Sequence, residues 1–334
     1  MLKYIKKKIA ARTLKEHYLC RNKVLLKRRE GGYGDILVSR MLCEDMHRIM
    51  PDIELTYGCV DRYKSIMQKH PYAEIVGLNG LDESKYGSIY DISIACAIHE
   101  STTGIKNSMN RSDVWAKHCG YTLTKHNAYL KKENDEQYRE LINKENLEKK
   151  PTILFVPSSI DYDYGRSKSL LYNLAYDVVK VLREMGFYVY STNSENISAL
   201  NDLNVKQYIR PHEKDWIGIV GAADYILTID TATLHIAGML EKPLIGIFGH
   251  TNGKLVCKYY DHVLVQKHKD DGNWPCGPCY VYHSCTKSNE EIKPCISELT
   301  TEEIIAGVKK AIIRWPHPHF STKPFLPLPL ETIS

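Results

Sequence analysis

No run of apolar residues in this chain of 334 approaches the roughly 18–20 that a membrane span requires, so no transmembrane helix is expected. The N-terminus lacks the apolar stretch and small-residue cleavage site of a secretory signal, and the expectation is a cytoplasmic protein. The glycine-rich turn at residues 31–34 fits neither G-x-G-x-x-G nor the lysine-bearing P-loop, so it does not announce a dinucleotide or nucleoside triphosphate site. No internal repeat is visible beyond two alternating halves. What is present is a globular composition, 43% hydrophobic and 25% charged, long enough for two domains.

Acidic residues are scarce at one end. Residues 1–30 hold eleven Lys/Arg against only Glu16 and Glu30, a local +9. The whole chain carries +5, so the rest is about −4 (5 − 9), and the protein is not basic all over. A nucleic-acid partner is therefore not favoured. Within the leader, Leu2, Ile5, Ile9 and Thr13 fall near one helical face, with Lys3, Lys6, Lys7, Lys8 and Lys15 around them. Such a segment, residues 1–20, suits an anionic membrane surface and would place the protein peripherally on the inner face of the membrane. A solvated leader is the other reading.

The rest of the chain alternates short β-branched runs with helical patterns, which predicts parallel sheets covered on both faces. In the first half, Val24 to Arg28 reads as a strand, Gly31 to Gly34 as a tight turn, Asp35 to Met50 as a helix stopped by Pro51, and Ile53 to Tyr57 as a strand. Asp91 to Ala95 is expected to be a strand and Ser112 to Cys119 a helix. Residues 131–150 are strongly polar and helix-favouring, which predicts a surface helix and linker. In the second half, Thr152 to Val156 begins a new alternation, followed by a long loop and a helix from Leu170 to Met185. Tyr225 to Ile229 (strand), a polar turn at Asp230-Thr231, a helix through Leu240 and Pro243 to Phe248 (strand) make its clearest unit. The expected organisation is a basic leader (1–22), a first Rossmann-like α/β domain (23–150), a second (151–315) with a Cys-rich loop (274–296), and a Pro-rich tail (316–334), with a cleft between the domains.

Polar residues sit where open α/β sheets bind ligands, at strand C-termini where a helix N-terminus offers N–H groups and a positive dipole. EGGYGDILVS places Gly32 and Gly34 beside Asp35, which suits either a helix cap or a base that accepts a proton from a substrate hydroxyl. Arg166 and Lys168, in DYDYGRSKS, suit a diphosphate or an ordinary solvated loop. In IDTATLHIAG, Asp230 and Thr231 cap a helix that carries His235 one turn inside.

Three segments in this order, GGYGDILVSRMLCEDMHRIMPDIELTY, the Arg166/Lys168 loop and DYILTIDTATLHIAGMLEKPLIGIFGHTNG, resemble glycosyltransferase family 9, the heptosyltransferases that extend the lipopolysaccharide inner core. The resemblance runs roughly from Lys23 to Ile313, and the last segment, with Asp-Thr, a His four residues on and a Phe-Gly-x-Thr turn, is its specific part. It implies a GT-B fold, two Rossmann-like domains with the acceptor on the first and the nucleotide-sugar on the second. It implies inverting transfer of a sugar, heptose from ADP-heptose, to a saccharide or lipid-linked glycan, with Asp35 as general base. Arg166 and Lys168 would hold the donor diphosphate, and Asp230, Thr231, Ala232 and His235 would line the donor site. Two departures stand out: Ala232 replaces the usual Gly after Asp-Thr, and His250 replaces the usual Pro of Gly-Pro-Thr. Another sugar, a protein or nucleic-acid acceptor, and a non-catalytic relative that binds a nucleotide-sugar or a metal are the alternatives.

Cysteine usage divides in two. Six are scattered, as buried thiols in a reducing compartment are. Cys276, Cys279, Cys285 and Cys295 cluster as C-x2-C-x5-C-x9-C, a set that suits structural Zn or Fe as well as free thiols or disulfides. No catalytic metal is expected, since cationic side chains and helix dipoles can stabilise a leaving diphosphate.

Overall fold

A computed structural model of the protein describes residues 21–124, 126, 128–159, 168–267, 278–279, 285 and 293–321. Residues 1–20 of the basic leader, Arg166, Cys276 and residues 322–334 of the Pro-rich tail lie outside the described residues. The chain divides into two compact units, residues 1–131 and 132–334. Among the described residues no helix is long and apolar enough to cross a membrane.

In the first unit the alternation seen in the sequence folds as a four-stranded sheet, β1 (Lys23–Arg28), β2 (Glu54–Cys59), β3 (Glu74–Gly77) and β4 (Ser88–Asp91), in the order β3-β2-β1-β4. Every pairing is parallel, with Leu26 opposite Tyr57 on one side and Tyr90 on the other. The predicted helix over 35–50 forms as two, α1 (Tyr33–Ser39) and α2 (Met41–Ile49). The break falls at Arg40. The wholly buried Arg40 turns inward, and its guanidinium donates to the carbonyls of Ala128 (2.8 Å) and Tyr129 (3.2 Å), while the backbone around it tightens to i→i−3 bonds. Of the strand expected over Asp91–Ala95 only Asp91 is extended, as the last residue of β4, and Ala95 already begins a helix. The Asp91 carboxylate accepts from the Ser93 N–H (3.1 Å) and hydroxyl, an Asx-turn that ends the strand and leads into α3 (Ala95–Thr103). Helix α4 (Arg111–His118) follows, with Asn110 as a side-chain cap.

The second unit begins with α5 (Asp135–Glu145), the polar helix expected to be a linker. It packs on α7 (Glu213–Ala222), where Gly218 leaves room for the backbone of Glu133 and Asn134: a Cβ at Gly218 would sit 2.6 Å from the Glu133 carbonyl oxygen. Six parallel strands make the sheet, in the order β10-β9-β8-β5-β6-β7: β5 (Thr152–Val156), β6 (Tyr188–Asn193), β7 (Lys206–Ile209), β8 (Tyr225–Ile229), β9 (Leu244–Phe248) and β10 (His262–Gln266). Strands β5, β8 and β9 are buried along their whole length, which is why they read as continuous apolar runs. Helix α6 (Tyr172–Glu184) covers the sheet with Leu174, Val178, Val179 and Leu182, a stripe at three- and four-residue spacing. The last long helix, α10 (Thr301–Arg314), adds Ile304, Ile305, Val308 and Ile312 to the same core and starts with a reciprocal capping box between Thr300 and Glu303.

Both sheets reverse direction once. In the first unit the chain leaves β1 for one side and returns to β1's other edge as β4. In the second it leaves β5 for β6 and β7 and returns to β5's other edge as β8. At such a reversal the two following loops part and open a crevice at the strand C-termini. The loops after β1 and β4, and those after β5 and β8, are therefore where each unit is built to hold a ligand.

Candidate functional site

At the second unit's reversal, the loop after β5 supplies Lys168 and the end of β8 supplies Asp230. Their side chains meet, Nζ to Oδ2, at 2.8 Å. The same carboxylate oxygen accepts from the Thr251 hydroxyl at 2.8 Å, so Asp230 ties together three loops. Thr251 is placed by Gln266, whose amide donates to the Gly249 (2.9 Å) and Thr251 carbonyls and whose oxygen accepts from the Gly253 N–H (3.0 Å). Thr231 is the N-cap of α8 (Ala232–Met239), in extended backbone with no side-chain bond to the helix, so α8's first N–H groups face the end of β8 without a side-chain cap. Ala232 is the first helical residue, a position where a Cβ is readily accommodated. His235, one turn on, contacts the Tyr260 hydroxyl through Nδ1 at 3.1 Å.

Lys168 and Lys293 bring positive charge to the neighbourhood of the Asp230 carboxylate. Burial by itself would raise the Asp230 pKa, but the Lys168 charge and hydrogen bond, His235 and the Thr251 hydroxyl outweigh it and hold the carboxyl well below the usual range. His250, 2% exposed, is pushed down to about 4 by burial and by the charges of Lys168 and Lys293, against the pull of Asp230. Lys293, itself buried, stands at the N-cap position of the short α9 (Pro294–Ser297) without a side-chain bond to the helix, and the end of the cysteine loop thereby delivers a second cation to the neighbourhood of His250. Sequence reasoning missed Thr251, Gln266, His250 and Lys293 as site residues. Gln266 had no signal at all, while Thr251 lay within the recognised segment.

His70 in the first unit is likewise pushed down to about 3, by burial and by Arg40. Both histidines are held neutral in the fold, below their ordinary 6.5. Their contribution to stability is full above about 6.5 and is lost as pH falls toward the folded values. At pH 5 each is expected to cost about 2 kcal/mol of stability relative to pH 7. Thermal unfolding should therefore drop between pH 7 and 5, and His250→Gln should flatten part of that drop. A melting temperature equally pH-dependent in the variant would contradict the assignment for His250.

At the first unit's reversal, Asp35 is the third residue of α1, not its N-cap. Gly32 holds the N-cap position and donates its N–H to Asp35 Oδ2 at 3.3 Å, half of a capping box that glycine has no side chain to complete. Gly34 lies in the first turn. The glycine the turn requires is Gly31, at φ +105°, where a Cβ would sit 2.5 Å from Arg28 Nη2 and 2.7 Å from Asp35 Oδ2. Asp35 Oδ1 accepts from Arg111 Nη1 at 2.5 Å, and Arg28 Nη2 lies 3.4 Å from Oδ2. Arg111 is in turn gripped by Glu100 through Nε (2.7 Å) and Nη2 (2.9 Å), a two-point pairing. Arg28 lies over the Trp115 ring at 4.5 Å and donates to the Ile92 carbonyl at 3.2 Å. Asp35 keeps 16% of its side chain exposed, and these contacts fix the orientation of its carboxylate.

The cysteine loop is only partly in view. Cys279, Cys285 and Cys295 are described, and Cys295 lies against the turn after β9: a Cβ at Gly249 would be 3.2 Å from its Sγ and 2.6 Å from Ile296 Cγ1. Among the described residues no group of three or more His, Cys, Asp or Glu is placed to hold a metal ion. Gly249→Ala should push α9 off the Thr251 turn and lower stability by about 1–3 kcal/mol, read by thermal unfolding. An unchanged melting temperature would mean the contact is slack.

Residues 215–279 match the family model of glycosyltransferase family 9 (heptosyltransferase), a stretch that contains α8 and both strands beside it. Among solved structures the chain is similar to ADP-heptose lipopolysaccharide heptosyltransferase II of E. coli, at 12% identity and a TM-score of 0.62, covering 87% of this chain and 99% of that one. It is similar to E. coli heptosyltransferase WaaC, solved with ADP, at 12% identity and a TM-score of 0.53, covering 88% and 99%. It is similar to TibC, an iron-containing dodecameric glycosyltransferase of enterotoxigenic E. coli, at 10% identity and a TM-score of 0.62, covering 89% and 77%. No curated protein matches the chain.

Proposed function

The chain has the two-domain Rossmann-like fold of these transferases and carries the sequence signature of family 9 across its second reversal point, and we propose that it transfers a sugar, heptose from ADP-heptose, to a hydroxyl of a saccharide or lipid-linked glycan. The observation that carries this reading is the meeting of Lys168 with Asp230 and Thr251 at the mouth of α8, the latter two inside the matched segment, at the place where open α/β sheets bind ligands. A diphosphate fits the chemistry there: Lys168 supplies charge, helix α8 supplies N–H groups and dipole, and Arg166 would add a second cation.

In this reaction the acceptor oxygen forms a bond to the anomeric carbon as the bond to the β-phosphate oxygen breaks, with inversion. ADP leaves with the bonding pair, and the acceptor's proton passes to Asp35. Gly32 and Arg111 orient that carboxylate, while Lys168 and the helix N–H groups offset the charge that grows on the leaving diphosphate. The four loop cysteines, Cys276, Cys279, Cys285 and Cys295, would hold a structural Zn or Fe ion. Metal analysis of protein purified without oxygen should find about one equivalent, and less than half would count against it. The basic leader, residues 1–20, would bring the enzyme to an anionic membrane surface. Removing it should weaken binding to anionic vesicles at low salt, and unchanged binding would remove that role.

The function is tested by incubating the protein with a panel of nucleotide sugars. ADP release from ADP-heptose, abolished in Asp35→Ala, is the expected result. Release that persists undiminished in the variant would overturn the role of Asp35, and no release from any donor would overturn the activity.

A further inference from the structure

Gly31 and Gly32 share one peptide unit, and both of its polar ends are in use. At the N–H end Gly32 donates to Asp35 Oδ2 at 3.3 Å, and at the C=O end the Gly31 oxygen accepts from the Tyr63 hydroxyl at 2.7 Å. The two ends of a trans peptide point in opposite directions, so holding the carbonyl on one side aims the N–H at the carboxylate on the other. Tyr63 closes the one-turn helix over Asp61–Tyr63 that follows β2 and is 4% exposed. Its ring also stands edge to face with that of Tyr33, centroids 4.9 Å apart, so it touches the chain on both sides of Gly32.

The direction of the hydroxyl bond follows from its neighbours. Arg62 Nη2 lies 2.7 Å from the same hydroxyl, with its guanidinium 4.7 Å over the ring. A guanidinium can only donate and a carbonyl can only accept. The phenol oxygen therefore accepts from Arg62 and gives its own proton to Gly31. This clamp has a purpose because a peptide between two glycines turns over easily. Gly31 is at φ +105° and Gly32 at −85°, and neither carries a Cβ that would penalise other conformations. Turned over, the peptide would present its carbonyl oxygen to Asp35 in place of its N–H, and the two acceptors would repel.

We propose that Tyr63 is a positioning residue for Asp35: it holds the Gly31–Gly32 peptide with its N–H toward the carboxylate and so sets the direction in which that carboxylate meets the acceptor hydroxyl. The consequence for transfer rests on the proposed function, in which Asp35 is the base; the hold on the peptide does not. Arg111 fixes Oδ1, the Gly32 N–H fixes Oδ2, and Arg28, 3.4 Å from Oδ2, adds charge. With the N–H turned away, the carboxylate is free to swing about its last torsion, which is a soft one.

The peptide is read first, in proton–nitrogen spectra of the labelled protein. The Gly32 amide proton should move upfield in Tyr63→Phe, as it should in Asp35→Ala, where its acceptor is gone. Phenylalanine keeps the ring and its contact with Tyr33, so the shift reports the hydroxyl, and an unmoved Gly32 signal in Tyr63→Phe overturns the proposal. Should that variant not fold, Tyr63→Leu carries the same comparison. For the reaction, Tyr63→Phe should slow ADP release from ADP-heptose about five- to tenfold at saturating donor, with KM for the donor within about twofold. In an Asp35→Asn background the same change should cost nothing, because the group it orients is no longer a base. An equal loss in both backgrounds would show that Tyr63 acts through packing alone, which contradicts a role at Asp35. If wild-type protein releases no ADP at all, the proposed function fails while the Gly32 signal still decides the peptide.

Discussion

Asp35→Asn is expected to lower the rate of sugar transfer by about 10²–10⁴-fold while leaving ADP binding within about twofold. The split follows from where the residue stands. Asp35 is in the first unit, in a cluster with Arg28, Arg111 and Glu100, and the groups proposed to bind ADP are in the second. The amide keeps the size and can still accept from Gly32 and Arg111, so the loss reports the missing base more than a collapsed turn. Arg111→Lys gives the complementary result. A lysine cannot span Asp35 and the two oxygens of Glu100 together, so the rate should fall about tenfold, by loss of orientation alone. If Asp35→Asn transfers at the wild-type rate, the proton goes elsewhere.

Lys168→Met is expected to weaken ADP binding about 10- to 100-fold, the worth of one or two charge-assisted hydrogen bonds. It should also lower stability by about 3 kcal/mol, because it leaves the Asp230 carboxylate enclosed without its cation. The two effects separate in the double variant Lys168→Met/Asp230→Asn, where stability should largely return and ADP affinity should not. The pH dependence has a definite sign. The Asp230 pKa is depressed in the fold, so its contribution is present above the ordinary 3.8 and is lost as pH falls through the folded value. Wild-type protein should thus lose this part of its stability only below about pH 4, and Lys168→Met should lack that acid-side loss. Recovery of ADP affinity in the double variant would mean that Lys168 serves only to neutralise Asp230.

Much of the second unit was legible before any coordinates. The strands at Thr152–Val156 and Tyr225–Ile229 are covered on both faces and so leave unbroken apolar runs, and the Asp-Thr turn between strand and helix is local chemistry. The Lys168–Asp230 contact was not legible, because it joins positions 62 residues apart and depends on the order in which strands enter the sheet. The first unit hid more. Arg111 reaches Asp35 across 76 residues, and Glu100 sits on a helix that the sequence suggested would be preceded by a longer strand. Short edge strands such as β3 and β4 bury little, so they carry weak apolar periodicity. The division of the Asp35 helix at Arg40 also escaped notice, since its cause is a buried guanidinium bound to carbonyls almost ninety residues away. Polar α5 looked like a linker because little of it is buried, yet Gly218 on α7 is shaped to receive the backbone just ahead of it.

The most direct test of the account is a mass-spectrometric assay of ADP-heptose incubated with wild-type protein, Asp35→Asn and Lys168→Met. The account predicts ADP release by wild type, a loss in Asp35→Asn that more donor does not restore, and a loss in Lys168→Met that more donor partly restores. Intact ADP-heptose with wild type, together with no thermal shift on adding ADP, would contradict it.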